Sequence, residues 1–224
     1  MTTFGHHETY GESGKRIALG LVSGGTALEW IGGAAAIVLS IIAIWYASTV
    51  LFGIIVLCLA AALFLHGLAV SARLNKAISD IETTATAPTS SGGMTAELFA
   101  GCVGIVLGIL ILFNIAPLTL SIVSVLVFGG TLAVTGYSKS MNPISMASLT
   151  EPEASLVRET VAASGNSHLL VGLGLIALGV LALANVAPVT LCIAAFLSLG
   201  GLLFLSGGAV SARMIRLLSR EHKR

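Results

Sequence analysis

The chain has 224 residues, of which 56% are hydrophobic and only 9% charged, with a formal net charge of +1 and a mean hydropathy of +1.01. A soluble domain carries about 25% charged residues. This composition therefore excludes a soluble globular enzyme, a disordered chain and a collagen-like fibre, and the small net charge offers nothing to nucleic acid.

In chain order, residues 1–28 form a polar segment containing His6, His7, Glu8 and Glu12. The first apolar run comes late and has no short hydrophobic region followed by a cleavage site, so no signal peptide is expected. Six apolar runs follow, at 29–46, 50–72, 97–114, 118–137, 168–185 and 189–212. Each approaches the ~20 residues a helix needs to cross ~30 Å of hydrocarbon. The runs are continuously apolar and do not alternate, which excludes a β-barrel. The expected fold is an all-α integral membrane protein with six transmembrane helices.

Runs 1–2, 3–4 and 5–6 are joined by tight uncharged turns near Tyr46–Thr49, Asn114–Leu118 and Asn185–Val189, whereas runs 2–3 and 4–5 are joined by longer polar loops. Every basic residue lies on the long-loop side: Lys15, Arg16, Arg73, Lys76, Lys139, Arg158, Arg213, Arg216, Arg220, Lys223 and Arg224. The positive-inside rule makes that side cytoplasmic, with both termini inside a cytoplasmic membrane. Trp45 and Tyr46 then anchor the outer face, and the basic cluster Arg213–Arg224 is a topology signal able to touch anionic lipid.

The chain also repeats with a period of about 70 residues, a spacing read as tandem structural units. Asn114-Ile-Ala-Pro-Leu-Thr-Leu120 matches Asn185-Val-Ala-Pro-Val-Thr-Leu191, and Gly129-Gly130 falls on Gly200-Gly201. Phe64-Leu-His66 through Arg73 matches Phe204-Leu-Ser206 through Arg213. Glu29 with Gly33, Glu97 with Gly101, and His168 with Gly172 open the three copies alike. The division is a cytoplasmic segment 1–28, hairpin 29–73, loop 74–96, hairpin 97–137, loop 138–167, hairpin 168–213 and a basic tail 214–224. Two spans per repeat make the hairpins parallel, unlike inverted transporter repeats, and suggest a pseudo-threefold bundle. Pro117 and Pro188 suit a first helical position, which Ser48 takes in the first copy. Gly104 and Gly108, spaced as GxxxG, permit close helix approach. The second span is expected to continue as helix through Lys76, Ile78 and Ile81 before a break in Thr83–Gly93. Thr150-Glu-Pro-Glu153 reads as a capping box starting a short surface helix, with Val157 and Val161 on one face, that ends near Gly165.

Repeated hairpins of the form G-x-x-x-I-x-x-G, a turn proline, then L-x7-G-G-x5-[ST]-G resemble the HdeD-like acid-resistance membrane proteins, over Glu29–Arg73, Glu97–Tyr137 and His168–Arg213. The resemblance implies a small bacterial or archaeal cytoplasmic-membrane protein with six spans, associated with stress tolerance and without enzyme activity.

Two aligned sets carry candidate chemistry. Glu29, Glu97 and His168 share one position at the cytoplasmic mouth of the odd spans. They either form a titratable ring or simply favour helix N-termini, where acids are stabilised. His66, Thr135 and Ser206 share a position within the even spans. An ionisable group there is a functional candidate, and histidine titrates near neutral pH. The hydroxyls of its counterparts suggest instead a neutral interhelical hydrogen bond, for which His66→Ser should cost little. Asn114 and Asn185 read as turn residues rather than a pore filter. Cys58, Cys102 and Cys192 lie in apolar runs without metal or disulfide spacing. No nucleophile–base pair, metal cluster or phosphate loop appears, so no catalysis, cofactor or metal is expected. Beyond the bilayer, the partners would be other integral membrane proteins or a second copy. A structural or stress-tolerance role leads, with an accessory subunit of a larger complex or a small channel or transporter as alternatives.

The topology is testable by single cysteines placed at Ser48 or Thr150 in a cysteine-free background. Impermeant label added outside the cell is expected to modify position 48 only; modification of position 150 alone would reverse the orientation.

Overall fold

A chain segment in lipid must satisfy its backbone N–H and C=O groups internally, which for continuous apolar runs leaves the α-helix. The computed structural model describes residues 29–46, 48–81, 92–141 and 151–221, with side chains over 29–46, 48–68, 96–138 and 165–206. The described residues form six helices and no strands: α1 (Glu29–Trp45), α2 (Thr49–Ile81), α3 (Gly92–Leu112), α4 (Pro117–Met141), α5 (Glu151–Leu183) and α6 (Pro188–Glu221). The apolar parts of α2, α4, α5 and α6 are long enough to cross a membrane, while Glu29–Trp45 and Ala96–Leu112 are shorter apolar helices.

α2 continues to Ile81 as the sequence suggests. The expected break after it, at 83–93, lies largely outside the described residues, but α3 is already helical at Gly92. The short surface helix ending near Gly165 is corrected: α5 runs unbroken from Glu151 through Gly165 to Leu183. A glycine costs a helix only about 1 kcal/mol, and Pro152 sits at the second residue, where no intrahelical N–H is lost. Gly165 instead marks close packing, since a Cβ built on Gly136 of α4 would lie 2.7 Å from its carbonyl oxygen. With 33 residues and 1.5 Å per residue, α5 is about 50 Å long, more than one hydrocarbon layer.

The turns after α3 and α5 are the same structure. Asn114 and Asn185 adopt φ of 59° and 64°, the left-handed region that asparagine tolerates. Asn114 N–H donates to Ile111 O (2.9 Å) and Ile115 N–H to Leu110 O (3.1 Å); Asn185 and Val186 repeat this with Ala182 (3.0 Å) and Leu181 (3.2 Å). These paired bonds are a Schellman ending, which satisfies the last carbonyls of the helix. Pro117 and Pro188 then open the next helices. The first turn is built differently, with Ser48 N–H donating to Tyr46 O and Phe52 N–H to Ser48 O.

The core is drawn mainly from α2, α4 and α6, each of which contacts the other two. Three sets of aligned residues are all buried: Val56, Val125 and Phe196; Leu59, Phe128 and Leu199; Leu63, Leu132 and Leu203. One turn further along the same helices come His66, Thr135 and Ser206. The outward face is apolar too, with Ile31, Phe99 and Leu170 exposed at one aligned position. A protein surrounded by water seldom leaves so much large apolar surface open.

Glycine sets the helix distances. A Cβ on Gly33 of α1 would lie 2.6 Å from Phe204 N of α6; on Gly101 of α3, 2.8 Å from Phe64 N of α2; on Gly172 of α5, 2.5 Å from Ala133 N of α4. Phe204, Phe64 and Ala133 are aligned positions. In lipid, where helices gain no hydrophobic drive by associating, such backbone contact is what holds them.

Gly172→Ala is therefore expected to destabilise the protein by about 1–3 kcal/mol, because its neighbours at Ala133 and Gly129 are backbone atoms that cannot move aside. Gly130→Ala, with open space around the added methyl, should be neutral or gain up to about 1 kcal/mol. Thermal unfolding in detergent separates them.

Candidate functional site

The glycine contacts fix a register with a chemical consequence. Glu29 lies four residues before Gly33 and Glu97 four before Gly101, so each sits one turn along the same helix face. His66 and Ser206 lie two residues beyond the backbone that those glycines touch. The contact of Gly33 with α6 thus carries Glu29 to Ser206, and the contact of Gly101 with α2 carries Glu97 to His66.

The side chains meet accordingly. His66 Nδ1 lies 2.7 Å from Glu29 Oε2, and the Ser206 hydroxyl donates to Glu29 Oε1 at 2.5 Å. His66 Nε2 lies 3.5 Å from Glu97 Oε2. Glu29 and Glu97 are each only 2% exposed, and His168 4%. The His66 side chain retains 20% exposure. A protonated His168 would be near enough to act on the charge of Glu29. Thr135 is buried, and its neighbour Gly136 packs on α5 against Gly165 and Leu169, beside His168. Both aligned sets thus lie at one end of the helix contacts, and Glu29, His66, Glu97 and Ser206 form one connected group drawn from α1, α2, α3 and α6.

The geometry revises two expectations. Glu97 is not a helix-start acid, because α3 begins at Gly92, and His168 lies deep within α5. Glu29 opens the described part of α1, but its carboxylate is directed to His66 and Ser206 rather than to backbone N–H groups. The His66 ring lies between two carboxylates, a setting that the hydroxyls at its aligned positions do not suggest. The sequence alignment of equivalent positions gathers Glu29 with Glu97 and His66 with Ser206. It contains no sign that one set faces the other.

Other buried hydroxyls do not extend this polar region. Ser121, Ser124 and Thr131 donate to the carbonyl oxygens of Pro117, Leu120 and Val127 at 2.8–2.9 Å, each four residues earlier in the same helix, a bonding mode open to serine and threonine in a helix interior. Ser40 is buried with its Oγ unpartnered, at the position aligned with Gly108 and Gly179. Among the described residues, no group of three or more His, Cys, Asp or Glu side chains is arranged to hold a metal ion. Asn114 and Asn185 take part in the turn bonds described above.

Comparison of the chain with protein-family models, curated proteins and solved structures finds no match.

Removing His66 leaves two buried carboxylates facing each other without the ring between them. Breaking a buried pair by deleting one partner costs about 3–5 kcal/mol. His66→Ser is therefore expected to lower stability by ~3 kcal/mol, the reverse of the small cost suggested by the serine in the third copy, whereas Ser206→Thr, which keeps the hydroxyl, should cost far less. Unfolding midpoints of the two variants decide the order.

Proposed function

We propose that this chain is a non-enzymatic, six-span protein of the cytoplasmic membrane, with both termini inside, and that it serves a structural role in stress or acid tolerance. The observation that carries the reading is the distribution of polarity. The helices present apolar side chains outward, while Glu29, Glu97 and His66 meet in one cluster in which both carboxylates are buried. An ionisable group inside a span is expensive and is kept for a function or a pairing. Here pairing and function coincide, because the cluster ties α1, α2, α3 and α6 together through an imidazole, a side chain able to take up a proton.

Three parallel hairpins related by rotation about an axis near the membrane normal form the architecture of this reading. It is supported by the equivalent contacts of Gly33, Gly101 and Gly172, by the twin Asn–Pro turns, and by the aligned buried positions of α2, α4 and α6. The shorter lengths of Glu29–Trp45 and Ala96–Leu112 still approach the ~17-residue lower limit for crossing. The motif resemblance to HdeD-like proteins supplies the link to acid stress. A channel is less favoured, because the buried hydroxyls of α4 away from the cluster bond to their own backbone and line no continuous polar path.

Deletion of the gene from its source organism is expected to lower survival after acid shock at least tenfold, with recovery on expression of the intact chain. Unchanged survival under acid and other membrane stresses would overturn the role. Recovery of the chain only within a larger stoichiometric complex would replace it with that of an accessory subunit.

A further inference from the structure

The positions of four polar atoms frame a question of proton count. A carboxylate only accepts hydrogen bonds, and a neutral imidazole has one N–H and one bare nitrogen. Glu29 accepts from Ser206 at Oε1 and faces His66 Nδ1 at Oε2. The 2.7 Å spacing of that second contact lies in the range of a charge-assisted N–H···O bond, about 2.7–2.9 Å. Such a bond puts a hydrogen on Nδ1 and leaves Glu29 ionised; a protonated Glu29 donating to a bare Nδ1 fits the same spacing and is the state in which both rings of the test below are neutral. The other ring nitrogen, Nε2, faces Glu97 Oε2 at 3.5 Å. Were His66 neutral, its bare nitrogen would point at a second buried carboxylate, leaving two carboxylates against a ring without charge. One further proton removes the conflict. The imidazole ring is its natural seat, since an unperturbed histidine binds protons near pH 6.5 and a glutamate near 4.3.

We infer that Glu29, His66 and Glu97 form a buried proton-binding site in which His66 is held as imidazolium between two carboxylates, and that this bound proton clamps α2 to α1 and α3. Every described element packed against α2 contributes to the account: Glu29 from α1, Glu97 from α3, the uncharged Thr135 of α4 and Ser206 of α6, with His168 of α5 near enough to act on the charge of Glu29 when protonated. The partial exposure of the His66 ring gives the proton a route to water. When the proton leaves, the Nε2 contact with Glu97 turns from attractive to repulsive. The clamp is thus whole while His66 is charged, and loosens as pH rises and the ring becomes neutral. This inference rests on side-chain geometry and is independent of the stress-tolerance role.

The test uses the full chain in detergent micelles, carrying His6→Gln, His7→Gln and His222→Gln so that only His66 and His168 remain of the five histidines. Nitrogen NMR of labelled histidine reads the protonation of each ring directly. At pH 7.5, where a free imidazole is roughly 90% neutral, one ring is expected to be imidazolium, and Glu97→Gln is expected to make that ring neutral by replacing the second carboxylate with a group that tolerates a bare nitrogen. The unfolding midpoint of the parent should fall between pH 7 and 9.5, and Glu97→Gln should flatten that fall. Two neutral rings at pH 7.5 would overturn the inference, as would an imidazolium signal that Glu97→Gln leaves unchanged. Should Glu97→Gln not fold, His168→Gln takes its place: an imidazolium in that variant at pH 7.5 can only be His66 and supports the inference, and a neutral ring overturns it.

Discussion

Contact between helix backbones at Gly33, Gly101 and Gly172 is the constraint on which the rest of this structure depends. In water, an apolar helix face is driven against its neighbour; in lipid that drive is gone, and close packing must replace it. Each of these glycines brings its helix so near to α6, α2 or α4 that a methyl group would collide with main-chain atoms. Such contacts resist sliding, because the residues four before and four after each glycine on the same helix face, Glu29 and Ile37, Glu97 and Ile105, His168 and Ile176, carry side chains. They act as register pins.

The pins determine where polarity can go. Along α2, α4 and α6 the aligned buried positions are apolar through Leu63, Leu132 and Leu203, and turn polar one step later at His66, Thr135 and Ser206. Along the partner helices Glu29, Glu97 and His168 precede their glycines by one turn. Pinned register places the two changes in polarity at the same level. Each acid then finds a donor instead of lipid, and the cost of burying charge is offset by pairing. The asymmetry among the copies gives the site its character: only the first hairpin supplies an imidazole at the inner position, so only His66 stands between two carboxylates.

The same arrangement couples chemistry to mechanics. The group joins four helices through polar contacts in surroundings that are otherwise mainly apolar. Changing the charge on one ring therefore alters the interaction of α2 with both α1 and α3 at once. Away from this group, Ser121, Ser124 and Thr131 of α4 are occupied by the carbonyls of their own helix.

Much of this was legible in the residues themselves. Composition and continuous apolar runs determine an all-helical chain with segments suited to a membrane, because a lipid solvent permits little else for such runs. The helix-ending role of Asn114 and Asn185 follows from the tolerance of asparagine for left-handed backbone, and that of Pro117 and Pro188 from its fixed φ. Alignment of the copies also singled out all six polar positions. The continuity of α5 through Gly165 was hidden, because a glycine in sequence reads as a break, while in a packed helix it reads as a contact. What only the tertiary structure decided is the meeting of Glu29 and Glu97 with His66. Equivalent positions in a repeat reveal which residues share a role, but the residue each one faces belongs to a different helix and is set by the register of backbone contact, a property of two helices together that neither sequence segment contains alone.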